Sequence, residues 1–157
     1  MSISKSVIIM LAAMLFVACS RMESSREQEV FASNDDAKKL IDFPLVNSAT
    51  NVFFYECVGG LQSLDRFVRL TVSTSDVTNQ VNMIITDNNH KFNRELPYTK
   101  TNIISSEITR PFDKKVKLNW WTPEKVTNGY YVGGKESYSV KIWVDESNGT
   151  LFIHQGD

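Results

Sequence analysis

Cysteine and histidine are scarce in this chain, and their scarcity removes whole classes of chemistry. Cys19 and Cys57 are the only two cysteines, and His90 and His154 the only two histidines, in 157 residues. Neither a His-x-x-x-His pair nor a Cys-x-x-Cys pair occurs, nor an acidic calcium loop, so the sequence predicts no dedicated metal site and no cofactor. No Gly-x-Ser-x-Gly elbow is present to expose a nucleophilic serine. Gly59-Gly60 and Gly133-Gly134 match no phosphate loop and read as turns. Charge of one sign is lacking too: the formal net charge is −1, so no broad basic field gathers nucleic acid. The carboxylates Glu56, Asp65, Glu107, Asp145 and Glu146 are scattered, and their spacing identifies no acid–base pair. Internal repeats and low-complexity stretches are absent. No apolar run reaches the roughly 20 residues that a membrane-spanning helix needs.

The apolar run that does exist is short and placed at the start. Residues 1–6 carry Lys5, residues 7–17 are unbroken Val-Ile-Ile-Met-Leu-Ala-Ala-Met-Leu-Phe-Val, and the small Ala18 precedes Cys19. This order is that of a secretory signal peptide. The ending Leu15-Phe16-Val17-Ala18-Cys19 resembles the lipobox of bacterial lipoproteins. The resemblance implies diacylglyceryl attachment to the Cys19 sulfur, cleavage between residues 18 and 19, and acylation of the new amine, with palmitate among the chains added. Phe16 stands where leucine is commoner. Ser20, rather than aspartate, follows the cysteine, which resembles cargo sorted to the outer membrane of a Gram-negative cell, facing the periplasm. If Cys19 carries lipid, Cys57 has no intrachain partner and the chain has no disulfide framework.

Residues 19–36 are rich in Ser, Glu, Arg, Asn and Asp and poor in apolar side chains. Such a segment cannot bury enough surface to offset its ordering entropy, so it is expected to be a flexible tether. Residues 37–157 are long enough for one modest core and are read as a single domain. Residues 37–41 allow a short helical turn, and Phe43-Pro44-Leu45 opens the compact part.

Within that domain, residues 51–58 alternate and are rich in aromatic and β-branched side chains, which predicts a strand with Val52, Phe54 and Val58 on one face and Phe53, Tyr55 and Cys57 on the other. Cys57 in such a strand reads as an inert thiol rather than a nucleophile. Residues 67–72 predict a second strand, with Val68, Leu70 and Val72 opposite Arg69 and Thr71. A helix over 75–88 follows, with Ser75 as its cap, Asp76 in its first turn and Val77, Val81, Ile84 and Ile85 as its apolar stripe. Ile103-Ile104 and Val116-Lys117-Leu118 are candidate short strands. The stretch 138–145 alternates Tyr138, Val140, Ile142 and Val144 against Ser139, Lys141, Trp143 and Asp145. Asn148-Gly149 is a hairpin signal before a last strand over 151–154. The whole predicts an α+β fold: a mostly antiparallel sheet packed on one main helix, with a C-terminal β-meander. The motifs Asn51-Val52-Phe53-Phe54-Tyr55, Gly59-Gly60, Val68-Arg69-Leu70, Trp120-Trp121-Thr122-Pro123 and Val144-Asp145 resemble small uncharacterised bacterial lipoprotein domains, a resemblance that brings no activity with it.

The tryptophans are the candidate site. Trp120 and Trp121 are adjacent, and on a strand they point to opposite faces. Trp143 alternates against the Val140–Val144 apolar face. These three side chains either close a second, minor core beneath residues 90–118 or form a binding surface, since exposed tryptophan is common at contact sites. His90 reads as a helix-end residue and His154 as a surface strand residue. The expected function is therefore a non-catalytic protein-binding module on a membrane-anchored lipoprotein, in one version an inhibitor or immunity protein against an envelope-targeting toxin or enzyme. An envelope assembly accessory and a hydrolase acting on envelope polymers are the alternatives. A pocket joining His90 to a carboxylate would favour the hydrolase.

Overall fold

A computed structural model describes residues 24–28, 39–58, 64–93, 95, 97–102, 118–134 and 139–156. Cys19, Tyr138, Ile103-Ile104 and Val116-Lys117 lie outside them. The described strands are β1 (Ser24–Gln28), β2 (Thr50–Val58), β3 (Leu64–Thr71), β4 (Tyr98–Asn102), β5 (Gly129–Gly134), β6 (Lys141–Asp145) and β7 (Thr150–Gly156), and the long helix is α1 (Val77–Lys91). They form one sheet in the order β1-β2-β3-β7-β6-β5-β4, antiparallel at every junction. The chain leaves β3 in mid-sheet, runs as α1 along one face, and resumes at the far edge as β4. Strands β4 to β7 then return as a meander until β7 docks on β3. The expected α+β class and C-terminal meander are what the structure contains.

Alternation builds the main core. Phe54, Val68, Ile153, Ile142 and Val132 stand in register across five strands, and Leu70, Leu151, Val144 and Tyr130 form the neighbouring row. All of them are buried against Val77, Val81 and Ile84 of α1. Ile85, expected in that stripe, is partly buried at its margin. The helix also buries two polar side chains, Gln80 at 0 % and Asn88 at 2 % exposure. Each is satisfied. Gln80 accepts from the Val46 N–H at 2.8 Å and donates to the Pro44 carbonyl at 2.8 Å, pinning the segment before β2 to the helix. Asn88 donates to the Tyr98 hydroxyl at 2.8 Å and so ties the helix end to β4. Ile41, Phe43, Leu45 and Val46 are buried in the same core, so the compact part begins where the sequence indicates.

Three details depart from the sequence reading. Ser75 does not cap the helix: a 3-10 turn (Thr74–Asp76) precedes it, and the hydroxyls of Ser48 and Ser73 donate to the Asp76 carboxylate, holding that carboxyl below its ordinary range. The helix runs past Asp87-Asn88-Asn89 to Lys91, with His90 and Lys91 in its last turn, where cations suit the dipole, and Lys91 reaching Asp87 one turn back at 2.7 Å. Finally, β1 falls inside the segment expected to be a tether. It pairs with β2 from Ser24 opposite Val58 to Gln28 opposite Phe54. An edge strand is held by backbone hydrogen bonds along one side, so its polar sequence Ser-Ser-Arg-Glu-Gln does not prevent pairing.

Asn51 takes a positive φ of 48° where the β2–β3 register shifts, the mark of a β-bulge at the start of the strand. The hairpin between β6 and β7 sits where Asn148-Gly149 placed it. Its loop is longer than two residues, with the Gly149 N–H bonded to the Asp145 carbonyl at 3.0 Å. Only glycine fits at 149: φ is +70°, and an added Cβ would lie 2.1 Å from the Val72 carbonyl oxygen.

Candidate functional site

The second face of the sheet is aromatic. Its register sets Phe53, Arg69, Phe152, Trp143 and Tyr131 in one row from β2 to β5, and Tyr55, Phe67, His154 and Lys141 in the next. Residues 118–126 lie over these rows. They are not a strand: the Trp121 N–H bonds the Leu118 carbonyl in a tight turn at 3.1 Å, and a 3-10 turn (Pro123–Lys125) follows. Period-two geometry therefore does not apply to Trp120 and Trp121, and both rings rest on the same sheet face. Trp120 stacks on Phe53 with ring centres 5.6 Å apart. Trp121 meets Phe67, Trp143 and Phe152 edge to face at 5.1, 5.7 and 5.7 Å, and Val126 packs beside Trp143 and Phe152. Such edge-to-face pairs each contribute about 0.5–1.5 kcal/mol beyond the area they bury.

Of the two arrangements that the sequence leaves open for the tryptophans, the structure contains the second core and not an exposed surface. Trp143 does point away from Val140, Ile142 and Val144, but the face it joins is covered, and it is 1 % exposed. Trp120 is 8 % exposed, and Trp121 is half-buried as the keystone between the two aromatic clusters. The three residues come together as a second core, closed by 118–126.

His154, expected at the surface, is buried in that core. Its ring lies 4.7 Å from Phe67, and its Nε2–H donates to the Asp65 carboxylate at 2.9 Å. Burial pushes the imidazole below its ordinary value of 6.5, aided by the Lys141 charge and opposed by the Asp65 hydrogen bond and charge. The unfolded chain takes up the proton near 6.5, whereas the folded chain resists it to lower pH. The stability that neutral His154 contributes is thus present above that value and lost as pH falls through the folded one. Between pH 7 and 5 the unfolding free energy from urea titrations should fall, by up to about 1.4 kcal/mol per pH unit, and His154→Gln should flatten the profile. A wild-type profile that is flat or rises toward acid would contradict the buried neutral ring.

His90 lines an open groove of about 530 Å³ on the outer side of α1 with Pro44, Asn79, Asn82, Met83, Thr86 and Asp87. The groove brings His90 to the same wall as a carboxylate. Asp87 is already engaged with Lys91, which also reaches Asp42 at 3.2 Å. Cys57 lies in β2, opposite Asp65 in the register. No group of three His, Cys, Asp or Glu residues able to hold a metal occurs among the described residues. No helix among them is long and apolar enough to cross a membrane.

One residue of the aromatic face was named in the sequence only as the polar side of a strand. Arg69 is half-buried, with its guanidinium carbon 5.2 Å from the Phe53 ring centre and 5.9 Å from that of Phe152. Alternation places Arg69 on the second face, but its aromatic neighbours come from strands 16 residues before and 83 after it, a register that no local pattern discloses.

Comparison with known proteins adds no relative: no family model matches the chain, and no curated protein or solved structure is significantly similar to it.

Proposed function

We propose that this chain is an exported lipoprotein, cut before Cys19 and lipidated on its sulfur, whose domain binds a protein partner at a membrane surface. The observation that carries this reading is the ordered leader: Lys5, the apolar residues 7–17, Ala18, then Cys19. Each acyl methylene buried in a bilayer contributes about 0.8 kcal/mol, so two or three chains hold a domain firmly where one holds it marginally. Ser20 favours the outer membrane of a Gram-negative cell, on its periplasmic side. An inhibitor or immunity protein against an envelope-targeting toxin or enzyme is one version of such a module, and an envelope assembly accessory is another that shares the same physics.

A hydrolase of envelope polymers is the second reading, favoured by the groove that holds both His90 and Asp87. Against it, Asp87 is committed to Lys91, and the remaining polar lining is Asn79, Asn82 and Thr86. Cross-linking in living cells followed by purification of the full-length chain separates the readings. The binding module predicts one protein recovered with the wild type and equally with His90→Ala. Recovery of no partner, together with loss of cell-wall or lipid hydrolysis in His90→Ala, would replace it with the enzyme.

A further inference from the structure

A lipid on Cys19 would reach the domain at one particular end. Only residues 19–23 separate the leader from Ser24, where β1 begins. Ser24 lies opposite Val58, the last residue of β2, and Val58 lies opposite Leu64, the first of β3. Asp65 then faces Gly156, the last residue of β7. The chain from Cys19 thus joins the sheet at the end where β2 and β7 finish and β3 starts. Fully extended, the tether spans at most about 18 Å. The β6–β7 loop stands at the other end of the sheet, about 20 Å away along the strands and about 14 Å across them. With Cys19 at a bilayer surface, the tether is too short for that loop to face the membrane. The end that holds Ser24 stays within reach.

The same end carries the exposed apolar side chains. Among the described residues, the only exposed large hydrophobics are Leu40 at 37 % and Phe92 at 40 %. Phe92 follows the last residue of α1 and, with Asp42, Leu64, Lys91 and Gly156, lines a hollow of about 100 Å³ beside the ends of β3 and β7. Leu40 is two residues before Asp42, whose carboxylate holds Arg66 and Lys91 at 3.2 Å each. One exposed apolar side chain is ordinary on a protein surface. Here both stand at the end that a short tether holds against a bilayer, and leucine and phenylalanine settle readily in the headgroup–acyl boundary. Net charge plays little part. Arg66 is paired with Glu56 and Asp42, and Lys91 with Asp87 and Asp42, so the surface gains little from anionic lipid.

We infer that the lipid bilayer carrying the anchor is the occupant of this end of the domain. Phe92 and Leu40 rest in its surface, the strands stand up from it, and the β6–β7 loop points away. This rests on the lipoprotein reading above and gives the anchored domain a fixed orientation.

The test uses the isotope-labelled, lipidated chain in phosphatidylcholine nanodiscs, with and without nitroxide on the lipid headgroups. The backbone amide signals of Leu40, Phe92, Asn93 and Gly156 should broaden with nitroxide, and those of Ser147, Asn148 and Gly149 should not. Phe92→Asp, at an exposed position, should lose most of this broadening while Cys19 keeps its lipid. Wild-type broadening that is absent, or spread evenly over both ends, overturns the proposal in favour of a domain that tumbles on its tether, whether or not the variant folds. Full broadening in a folded Phe92→Asp overturns it too. Broadening along β1 as far as Gln28, with Phe92 untouched, overturns it in favour of a sheet edge lying on the membrane. A Phe92 signal that responds to protein concentration and not to nitroxide lipid overturns it in favour of a second copy of the chain. Mass spectrometry of the Cys19 peptide keeps the two levels apart. Lipidated Cys19 without the expected broadening removes the docked orientation and leaves the lipoprotein standing; unmodified Cys19 removes the lipoprotein reading and the docking with it.

Discussion

Trp143→Ala is expected to destabilise the domain by about 3–5 kcal/mol, the usual cost of emptying a large aromatic site in a core. Trp143 is 1 % exposed, meets Trp121 edge to face at 5.7 Å and lies 5.2 Å from Tyr131. Removing the indole leaves a cavity beneath Trp121 that the sheet cannot close, because β5 and β7 flank β6 in fixed register. A domain of this size has a total stability of about 5–15 kcal/mol, so the loss is a large share of the whole. Urea unfolding measures it directly, and Trp143→Phe should recover part of the loss by refilling part of the space. A change below about 1 kcal/mol would mean that the ring is a surface residue and that 118–126 does not cover it.

Val81→Asp should abolish cooperative folding. Val81 is 4 % exposed in the middle of α1, one turn from Val77 and beside Ile84 at 0 %. An unpaired carboxylate there costs several kcal/mol, and it adds to the loss of the valine from the core. Asn82→Asp is the matching control, because Asn82 is exposed on the outer side of the same helix and a charge there should change stability by no more than about 0.5 kcal/mol. The check is the near-ultraviolet circular dichroism and thermal transition of both variants. An intact transition for Val81→Asp would show that the helix does not pack on the sheet as described.

These two substitutions probe faces of the sheet that were unequally legible in the sequence. Alternation in β2, β3 and β6 and helical spacing in α1 disclose the main core, since each pattern is local. Gln80 and Asn88 were missed because polar residues count against an apolar stripe, although 77, 80, 81, 84 and 88 fall on one side of a helix. The orientation of Trp143 was legible from strand alternation, but its cover was not, because 118–126 folds through turns with no period. β1 gave no signal, as edge pairing draws on backbone groups that every sequence carries. His154 and Arg69 were misplaced or passed over for a shared reason: what buries one and clamps the other is the register of β2, β3 and β7, which brings together residues distant in the chain.

Labelling with radioactive palmitate tests directly the proposed anchoring of the chain to a membrane through Cys19. Cells expressing the wild-type chain should yield a labelled band of mature size in the membrane fraction, while Cys19→Ala should carry no label and appear as unprocessed precursor or as released protein. Equal incorporation into the two chains, or a wild type with no label, would contradict the claim.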